Sequence, residues 1–397
     1  MTPDEYRERL LAAVTPMEPF PQPVNECLGL AAAEDVLARV DLPGFDNSAM
    51  DGYAVRHADV AGDPPASLPV VGEIGAGTSR VIALAPGSAV KIMTGAPVPS
   101  GADTVVPYEW TDRGTPQVRI DRVPTPGQNV RRQGEEVRTG DVVVREGTVL
   151  GARHLGLLAA VGCAAVPVRP RPRVVVISTG SELREPGQPL AHDSVYDANS
   201  YLLAAAVRAA GAISYRVGIV PDEPKAFLDA LQDQLVRADV VITSGGVSMG
   251  DYDVVKAALA PAGVWFGRIA MQPGQPQGFG LVGDDQVPLF ALPGNPVSSY
   301  VSFESFVLPV LRKLMGIAPY TRPAVTARLG AAITSPRGKQ QYLRGRSSDG
   351  VVTPVGGPGS HLIAGLAEAD CLIVVPAQET ALEEGAEVRV LMLDRTF

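Results

Sequence analysis

The feature that most constrains this fold is an alternation of apolar strands and helical segments between Val174 and Met315. The apolar runs VVVIS, SYRVGIV, DVVIT and VPLFALPG predict strands. Helical patterns lie between or after them, near residues 199–210, 224–237, 252–260 and 297–315. This alternation is typical of βαβ units, in which helices connect parallel strands. The sequence therefore predicts a central α/β domain built on a parallel sheet.

Short β-like runs flank this domain on both sides. Glycine (42) and proline (36) are frequent, and between residues 68 and 150 they interrupt the runs AVKIM, TVVPYEW and DVVVREG. A linker-like PVRPRPR, residues 167–173, precedes the α/β pattern, and after Pro323 the runs AVTARL, CLIVVP and EVRVLML are again β-like. We therefore expect a multidomain protein of α/β plus β-rich domains, with a central parallel-sheet domain and flanking β domains.

The charge balance limits the classes of ligand. The 34 basic and 43 acidic side chains give a formal net charge of -9, which argues against a broad surface for nucleic acid or for an anionic membrane. An anionic substrate therefore needs a local basic or metal-lined pocket. The N-terminal MTPDEYRERLLAAV is charged and amphipathic, which predicts a helix rather than a secretory signal. The apolar stretch Leu155–Val168 is shorter than a bilayer span and predicts a buried helix leading into a strand.

The cysteines indicate a reducing compartment. Cys27, Cys163 and Cys371 lie far apart without paired spacing, and the last two stand in apolar surroundings. This pattern favours reduced structural thiols and a cytoplasmic location.

Three strand-to-loop junctions in the α/β unit share a chemistry. The first is STGSEL after VVVIS, the second is TSGGVSMGDYD after ADVVI, and the third is PGNPVSS after LFAL. Loops at the carboxyl ends of parallel strands meet at one edge of the sheet, near the point where strand order reverses. We therefore expect one pocket for a phosphate ester or nucleotide. Each junction taken alone is also explained as a packing turn.

The second junction joins glycines to carboxylates. Small residues let backbone N–H groups converge on phosphate oxygens, whereas Asp251 and Asp253 repel the same phosphate unless a cation lies between them. A divalent cation held by Asp253, Asp251 and Glu182 resolves this conflict. The alternative is that these acids are helix N-caps, and it is strongest for Asp251.

Six segments together resemble the MoeA family of molybdopterin molybdenumtransferases, which also includes the gephyrin E domain. They are, in chain order, FDNSAMDGYAVR (45–56), IMTGAPVPSGADTVV (92–106), STGSEL, TSGGVSMGDYD, LPGNPVSS and GSHL (359–362). The resemblance covers nearly the whole chain.

The resemblance implies an activity and an assembly. The activity is insertion of molybdate into adenylylated molybdopterin, with release of AMP and molybdenum cofactor and with Mg²⁺ as cofactor. The assembly is a homodimer whose active site joins the α/β domain of one chain to the DNSAMDG-bearing domain of the other. An upstream molybdopterin adenylyltransferase supplies the substrate. No nucleic acid or membrane partner is implied. The catalytic residues are then Asp51, Glu182 and Asp253.

The resemblance and the composition together predict a division into domains. The N-terminal helical and linking segments are discontinuous and comprise residues 1–48 and 141–172. The β-rich domain with the DNSAMDG motif comprises residues 49–140. The α/β molybdopterin-binding domain comprises residues 173–320, and a C-terminal β-barrel-like domain comprises residues 321–397.

Residues of the N-terminal motifs carry competing interpretations. Asp51 matches a family acid that reaches the partner's pocket, whereas Asp46 and Asn47 also fit an Asx-turn. Thr94 matches a family site threonine. Arg131 matches a family arginine, although its charged surroundings are also typical of a solvated face. Glu136 stands where the family often has aspartate, so its role is open.

The resemblance also assigns an oxyanion site with one departure. Arg344, Ser360 and Ser298 match family residues that hold molybdate, but Gln272 and Gln275 in MQPGQP replace both lysines of a family KPGKP motif. The replacement leaves open whether molybdate or another oxyanion is preferred. An alternative for Arg344 is a surface arginine near Asp349. The full predicted binding set is Thr94, Arg131, Ser178, Thr179, Gly180, Ser244, Gly245, Gly246, Pro293, Gly294, Asn295, Pro296, Ser298, Arg344 and Ser360.

Two other functions compete with the transferase. A catalytically weak paralogue that carries molybdopterin or acts as a scaffold is compatible with the loss of both lysines. A nucleotide hydrolase that uses only the α/β domain explains neither DNSAMDG nor GSH. Retention of Asp51, Glu182 and Asp253 favours the enzyme.

Overall fold

The computed structural model describes residues 1–77, 83–247 and 253–394. Helix α1 spans Pro3–Ala12, as predicted. It begins with a capping box, in which Thr2 Oγ1 accepts from the Glu5 N–H at 3.2 Å and the Glu5 carboxylate accepts from the Thr2 N–H at 2.8 Å. The Tyr6 ring contacts Phe306 and Trp265 at centroid distances of 4.8 and 5.4 Å. Helix α1 therefore packs on the α/β domain, because its Tyr6 and Leu10 belong to the buried core of that domain.

The first part of the chain forms short strands around three small cores of described residues. The strands are β1 Phe20–Pro23, β2 Val36–Leu37, β3 Asn47–Ser48, β4 Gly52–Val55, β5 Ala66–Ile74, β6 Ala89–Ile92, β7 Thr104–Pro107, β8 Gln117–Ile120, β9 Val130–Arg131, β10 Val142–Val144 and, after helix α2 Ala152–Ala160, β11 Ala165–Val168. The predicted helix leading into a strand is α2 followed by β11, but the helix is not buried as expected, because Leu158 is the one buried residue in the described range Ala152–Ala160. Strands β1 and β11 pair, as do β2 and β10, so distant segments of the chain share one core.

The β-rich domain is a five-stranded sheet in the order β7-β4-β6-β5-β8. It contains the predicted runs AVKIM (β6) and TVVPYEW (β7). Gly52, in the DNSAMDG motif, lies so close to β7 that a Cβ there would stand 2.0 Å from the Val106 carbonyl oxygen. Glycine is therefore required at this position by the approach of two backbones.

The central domain is a six-stranded sheet flanked by helices. Its elements are β12 Arg173–Ser178, β13 Leu183–Arg184, β14 Val195–Tyr196, α3 Asn199–Ala209, β15 Ile213–Arg216, α4 Pro224–Leu235, β16 Val240–Ser244, α5 Val254–Leu259, β17 Trp265–Arg268, β18 Met271–Gln272, β19 Pro276–Val282, β20 Val287–Leu292, α6 Pro296–Ser302, a π-helical turn Phe303–Val307 and α7 Leu308–Leu314. The sheet order is β15-β12-β16-β20-β19-β17. Helices α3 and α6 cover one face, and α4 and α5 cover the other.

Strands β15, β12, β16 and β20 pair in parallel, as predicted. Strand β19 runs in the opposite direction and pairs antiparallel with both β20 and β17. The difference follows from connection length, since β19 reaches β20 through residues 283–286 and a parallel pair needs a crossover of roughly a dozen residues. The predicted helix over 297–315 also differs, because a π-helical turn interrupts it. Pro309 has no N–H to donate to the Ser305 carbonyl, which disfavours regular α-helical bonding there.

The C-terminal strands close into a barrel. Its elements are β21 Ala324–Leu329, β22 Ile333–Thr334, β23 Gln340–Ser348, β24 Val351–Pro354, α8 Ile363–Glu368, β25 Cys371–Val375, β26 Ala381–Leu382 and β27 Glu387–Met392. Strand β23 pairs with both β24 and β25, which closes the order β23-β24-β21-β27-β25. The barrel-like fold predicted for this part is confirmed. Strand β18 of the central domain adds to β23 in parallel, so the two domains share hydrogen bonds.

Candidate active site

The three predicted junctions meet at one edge of the central sheet. Ser178 at the end of β12 is in register with Ser244 at the end of β16, and Ser244 is in register with Leu292 at the end of β20. The loops that follow enclose a cavity of about 850 Å³. The predicted residues in its lining are Ser178, Thr179, Gly180, Glu182, Ser244, Gly245, Gly246, Asp253, Pro293, Gly294, Asn295 and Pro296. The convergence expected from strand order is therefore observed.

Glycines shape the floor of this cavity. Gly245 and Gly246 have φ angles of +96° and +65°, in the left-handed region that side chains disfavour. A Cβ at Gly246 would also lie 2.7 Å from Val255 Cγ2. Both backbone conformation and space therefore restrict these positions to glycine.

Asn199 joins two of the three loops. Its Nδ2 donates to Ser244 Oγ at 2.7 Å and to the Gly294 carbonyl at 2.6 Å. Ser299 Oγ donates to the Pro293 carbonyl and lies 3.4 Å from Ser244 Oγ. Asn199 was not predicted as a site residue, and its only signal in the sequence is its position in YDAN at the start of a helical pattern.

Asp197 is a second residue that the sequence analysis missed. It lines the cavity and is only 1% exposed, and its carboxylate accepts from Ser178 Oγ at 3.1 Å. The N–H and Oγ of Ser200 donate to the same carboxylate at 3.0 and 2.5 Å. Asp197 thereby fixes both the Ser178 hydroxyl and the start of α3.

Besides Asp197, three loops contribute carboxylates to the cavity. Glu182 and Asp253 line it as predicted, and Asp222, which was not predicted, joins them while its side chain accepts from the Ser181 N–H at 2.9 Å. Asp253 also occupies the N-cap position of α5, but its side chain makes no capping hydrogen bond to the described residues of this helix. Asp251 lies outside the described residues.

The carboxylates of the cavity fit a metal ion that is bound together with a phosphorylated substrate. Within residues 1–77, 83–247 and 253–394, no group of three or more His, Cys, Asp or Glu side chains is arranged to hold a metal ion. Mg²⁺ bound with a phosphorylated substrate, however, needs only one or two carboxylates, because phosphate oxygens and water complete its shell. Glu182 and Asp253 in one cavity suit that shared mode.

A smaller cavity of about 470 Å³ adjoins the larger one. The two share a wall formed by Pro276, Pro293, Asn295 and His361. The polar side chains in the remaining lining are Gln272, Gln275, Ser298, Lys339 and Ser360. Ser298 and Ser360 were predicted here, and both glutamines of MQPGQP face the same space.

Arg344 is buried and does not line either cavity. It is 4% exposed, and its guanidinium donates to the carbonyls of Val355 and Gly359 at 3.4 and 3.0 Å and also to that of Gly357. Burial lowers the pKa of this guanidinium. The alternative of a surface arginine near Asp349 is therefore wrong. Its contacts instead hold the loop that precedes Ser360.

Asp51 and Thr94 form a separate unit on the β-rich domain. Asp51 Oδ1 accepts from the Thr94 N–H at 2.7 Å and from Thr94 Oγ1 at 2.8 Å. These hydrogen bonds lower the pKa of the Asp51 carboxyl. Neither residue lines either cavity, and the same is true of Arg131, which is exposed in β9.

Asp46 has a local structural role. Its carboxylate accepts from the Gln133 N–H at 2.8 Å and from Arg132 Nη1 at 2.7 Å, and these contacts lower its pKa. The cation beside it is thus Arg132 and not Arg131. Asn47 Nδ2 donates to the Phe45 carbonyl at 3.1 Å, whereas in an Asx-turn the side-chain oxygen accepts from a backbone N–H, so this contact is not the expected turn. Glu136 donates its backbone N–H to the Leu42 carbonyl.

Three family models match successive parts of the chain. The MoeA N-terminal region (domain I and II) matches residues 1–162, the probable molybdopterin binding domain matches 175–313, and the MoeA C-terminal region (domain IV) matches 326–393.

Relatives match over the whole length. The chain is 44% identical to molybdopterin molybdenumtransferase 2 of Mycobacterium tuberculosis (strain ATCC 25618 / H37Rv), over 97% of this chain and 98% of the relative. It is 43% identical to molybdopterin molybdenumtransferase 1 of the same strain, over 98% of each. The crystal structure of a molybdopterin biosynthesis MoeA protein from Pyrococcus horikosii superposes with a TM-score of 0.88 at 30% identity, over 100% of both chains. This chain therefore belongs to the MoeA family of molybdopterin molybdenumtransferases.

Proposed function

We propose that this protein inserts molybdate into adenylylated molybdopterin and releases AMP and molybdenum cofactor. Family membership supports an enzymatic role in molybdenum cofactor biosynthesis. The adenylylated substrate, the release of AMP and the use of Mg²⁺ are our inferences from the family resemblance, and the linings of the two cavities are compatible with them.

The observation that carries this proposal is the shared wall of the two cavities. The larger has a lining of glycine loops and hydroxyls that suits a phosphate-bearing substrate, and the smaller suits a compact oxyanion. Ligands bound in the two cavities would lie on opposite sides of the wall of Pro276, Pro293, Asn295 and His361. An oxyanion in the smaller cavity therefore reaches the substrate over a short path.

Unused polar atoms support ligand binding in the larger cavity. The buried Thr179 Oγ1 and Asn199 Oδ1 have no hydrogen-bond partner among the described residues. Buried polar groups are normally paired, because leaving one unpaired costs about 1–3 kcal/mol. A hydroxyl or amine of the substrate would pair with them.

Different groups of the larger cavity have different roles in this proposal. The backbone N–H groups of the glycine loop hold phosphate, while Asn199 and Asp197 keep the loops in register. Asp253 and Glu182, with Asp251, would hold Mg²⁺, which when bound neutralises charge on the phosphoanhydride. His361 stands at the wall between the two ligands.

We further propose that a second copy of this chain completes the site. Asp51, Thr94 and Arg131 line neither cavity of their own chain, and in a homodimer the DNSAMDG-bearing domain would bring them to the partner's cavity. An upstream adenylyltransferase would supply the substrate.

The three cysteines are buried and free, in line with the expected reduced thiols, and the cytoplasmic location stays a prediction. In the described part of the chain, no helix has the length and apolar character needed to cross a bilayer.

A carrier function is the second candidate, and the neutral Gln272 and Gln275 favour it. Incubating the purified protein with adenylylated molybdopterin and Mg²⁺, with and without molybdate, separates the two. We expect AMP release that depends on molybdate. Tight binding of molybdopterin with no molybdate-dependent AMP release would identify a carrier.

A further inference from the structure

The smaller cavity needs a source of positive charge. The chain is acidic, with a net charge of -9, and Gln272 and Gln275 offer only neutral donors. A tetrahedral dianion is held by charge-assisted hydrogen bonds, which are roughly twice as strong as neutral ones. Arg344 does not supply the charge, because its guanidinium is directed at carbonyl oxygens of the loop before Ser360.

We propose that Lys339 is the residue that determines oxyanion binding in the smaller cavity, an inference that rests on the proposed function. Among the described residues that line the two cavities, Lys339 is the only lysine or arginine. The charge thus comes from the barrel domain and not from the MQPGQP loop. Its target is a compact tetrahedral dianion, such as molybdate or tungstate, because the other donors are short amide and hydroxyl groups.

The backbone holds Lys339 beside that loop. Strand β23 starts at the next residue, and its first two residues pair in parallel with Met271 and Gln272 of β18. The Gln340 N–H donates to the Ala270 carbonyl at 2.9 Å, and the Gly338 N–H donates to the Ala377 carbonyl at 2.8 Å. Lys339 is therefore anchored on both sides, and only its side chain is free to turn toward a ligand.

The neutral donors around Lys339 are also held in place. Gln272 Oε1 accepts from Gln341 Nε2 at 3.3 Å, which leaves the Gln272 Nε2 group to donate to a ligand. The Gln275 carbonyl accepts from the Ile269 N–H, and the Gly274 carbonyl accepts from Gln277 Nε2, so the loop is braced. In residues 1–77, 83–247 and 253–394 the structure records no ion pair for Lys339. Its ammonium is therefore not neutralised by a carboxylate of the described chain.

Direct binding of sodium molybdate to the full-length protein tests this assignment without relying on turnover. Isothermal titration calorimetry at one ionic strength would compare wild type with Lys339→Met, Lys339→Arg and Lys225→Met. The Lys225 side chain is exposed on α4 and lines neither cavity, so Lys225→Met loses the same charge elsewhere. Circular dichroism and melting curves would check folding.

We expect Lys339→Met to raise the molybdate Kd at least about tenfold, the range expected for one hydrogen bond to a charged group. The molybdate Kd of Lys339→Arg should stay within about threefold of the wild-type value, and that of Lys225→Met should equal the wild-type value, since both variants keep a positive charge at the site. An unchanged Kd in Lys339→Met, or absence of molybdate binding by wild type, would overturn the assignment. A Kd that depends on Lys339 in a protein without molybdate-dependent AMP release supports the assignment and rejects the proposed function.

Discussion

One carboxylate oxygen of Asp51 accepts both the backbone N–H and the hydroxyl of Thr94, at 2.7 and 2.8 Å. The two residues belong to separate motifs, yet they form one rigid acidic unit on the surface of the β-rich domain. This unit lines neither cavity of its own chain, so a role for it in catalysis requires the proposed site shared between two chains.

Mixing two inactive variants tests the shared site. Asp51→Ala and Asp253→Ala should each lose AMP release, but a heterodimer regains one intact site of two. Random exchange at equal concentrations makes roughly half of the dimers mixed, so about a quarter of wild-type activity should return. The measurement is AMP release after subunit exchange, with exchange verified by two affinity tags. Complete exchange without recovered activity would place the site within one chain.

Asp253→Asn tests the proposed metal ligand. Asparagine is nearly isosteric, so the fold should persist, while loss of the charge should reduce Mg²⁺-dependent AMP release by roughly a hundredfold or more. Asp233→Asn, at an exposed position on α4, removes the same charge elsewhere and should retain activity. Steady-state kinetics across a Mg²⁺ titration make the comparison. Wild-type rates in a folded Asp253→Asn protein would remove Asp253 from the mechanism.

Replacing Gln272 and Gln275 together with lysine tests the position of the oxyanion. Two added cations should lower the molybdate concentration for half-maximal AMP release and steepen its dependence on salt, since charge attraction is screened. Gln232→Lys, exposed on α4, controls for added charge. Titrations of molybdate at several fixed ionic strengths provide the data. An unchanged requirement would mean that these side chains do not face the oxyanion.

Arg344→Lys tests whether Arg344 acts by positioning the loop before Ser360. Lysine has one ammonium and cannot reproduce the planar fork that contacts three carbonyls, so we expect a loss of about 1–3 kcal/mol in the free energy of unfolding. The molybdate requirement should rise while the KM for adenylylated molybdopterin stays near wild type. Arg346→Lys, exposed on the same strand, is the matched control. Urea unfolding measures the stability, and titrations of molybdate and of adenylylated molybdopterin measure the two requirements. A free energy of unfolding equal to that of Arg346→Lys would contradict the positioning role of Arg344.

Local patterns were sufficient for much of the architecture. The runs ending at Ser178, Ser244 and Leu292 combine apolar strands with small turn residues, and both signals act within a few residues. Parallel strand order then brings their loops to one edge. Strands β17 and β19 were missed because Gly267, Gly278 and Gly280 interrupt their patterns, and the reversed direction of β19 depends on the strands that it joins.

The sequence by itself determined the order of the domains, the sheet edge that carries the cavity and the chemical character of its loops, because these depend on short-range periodicity and turn residues. Only the tertiary structure decided the contacts between residues far apart in the chain. Asn199 lies 45 residues from Ser244 and 95 from Gly294, and no local pattern encodes its bonds to both. Arg344 is buried because the loop 355–359 closes over it, and Lys339 reaches the smaller cavity because β23 pairs with β18 of another domain. Such contacts arise from packing, which depends on the whole fold at once.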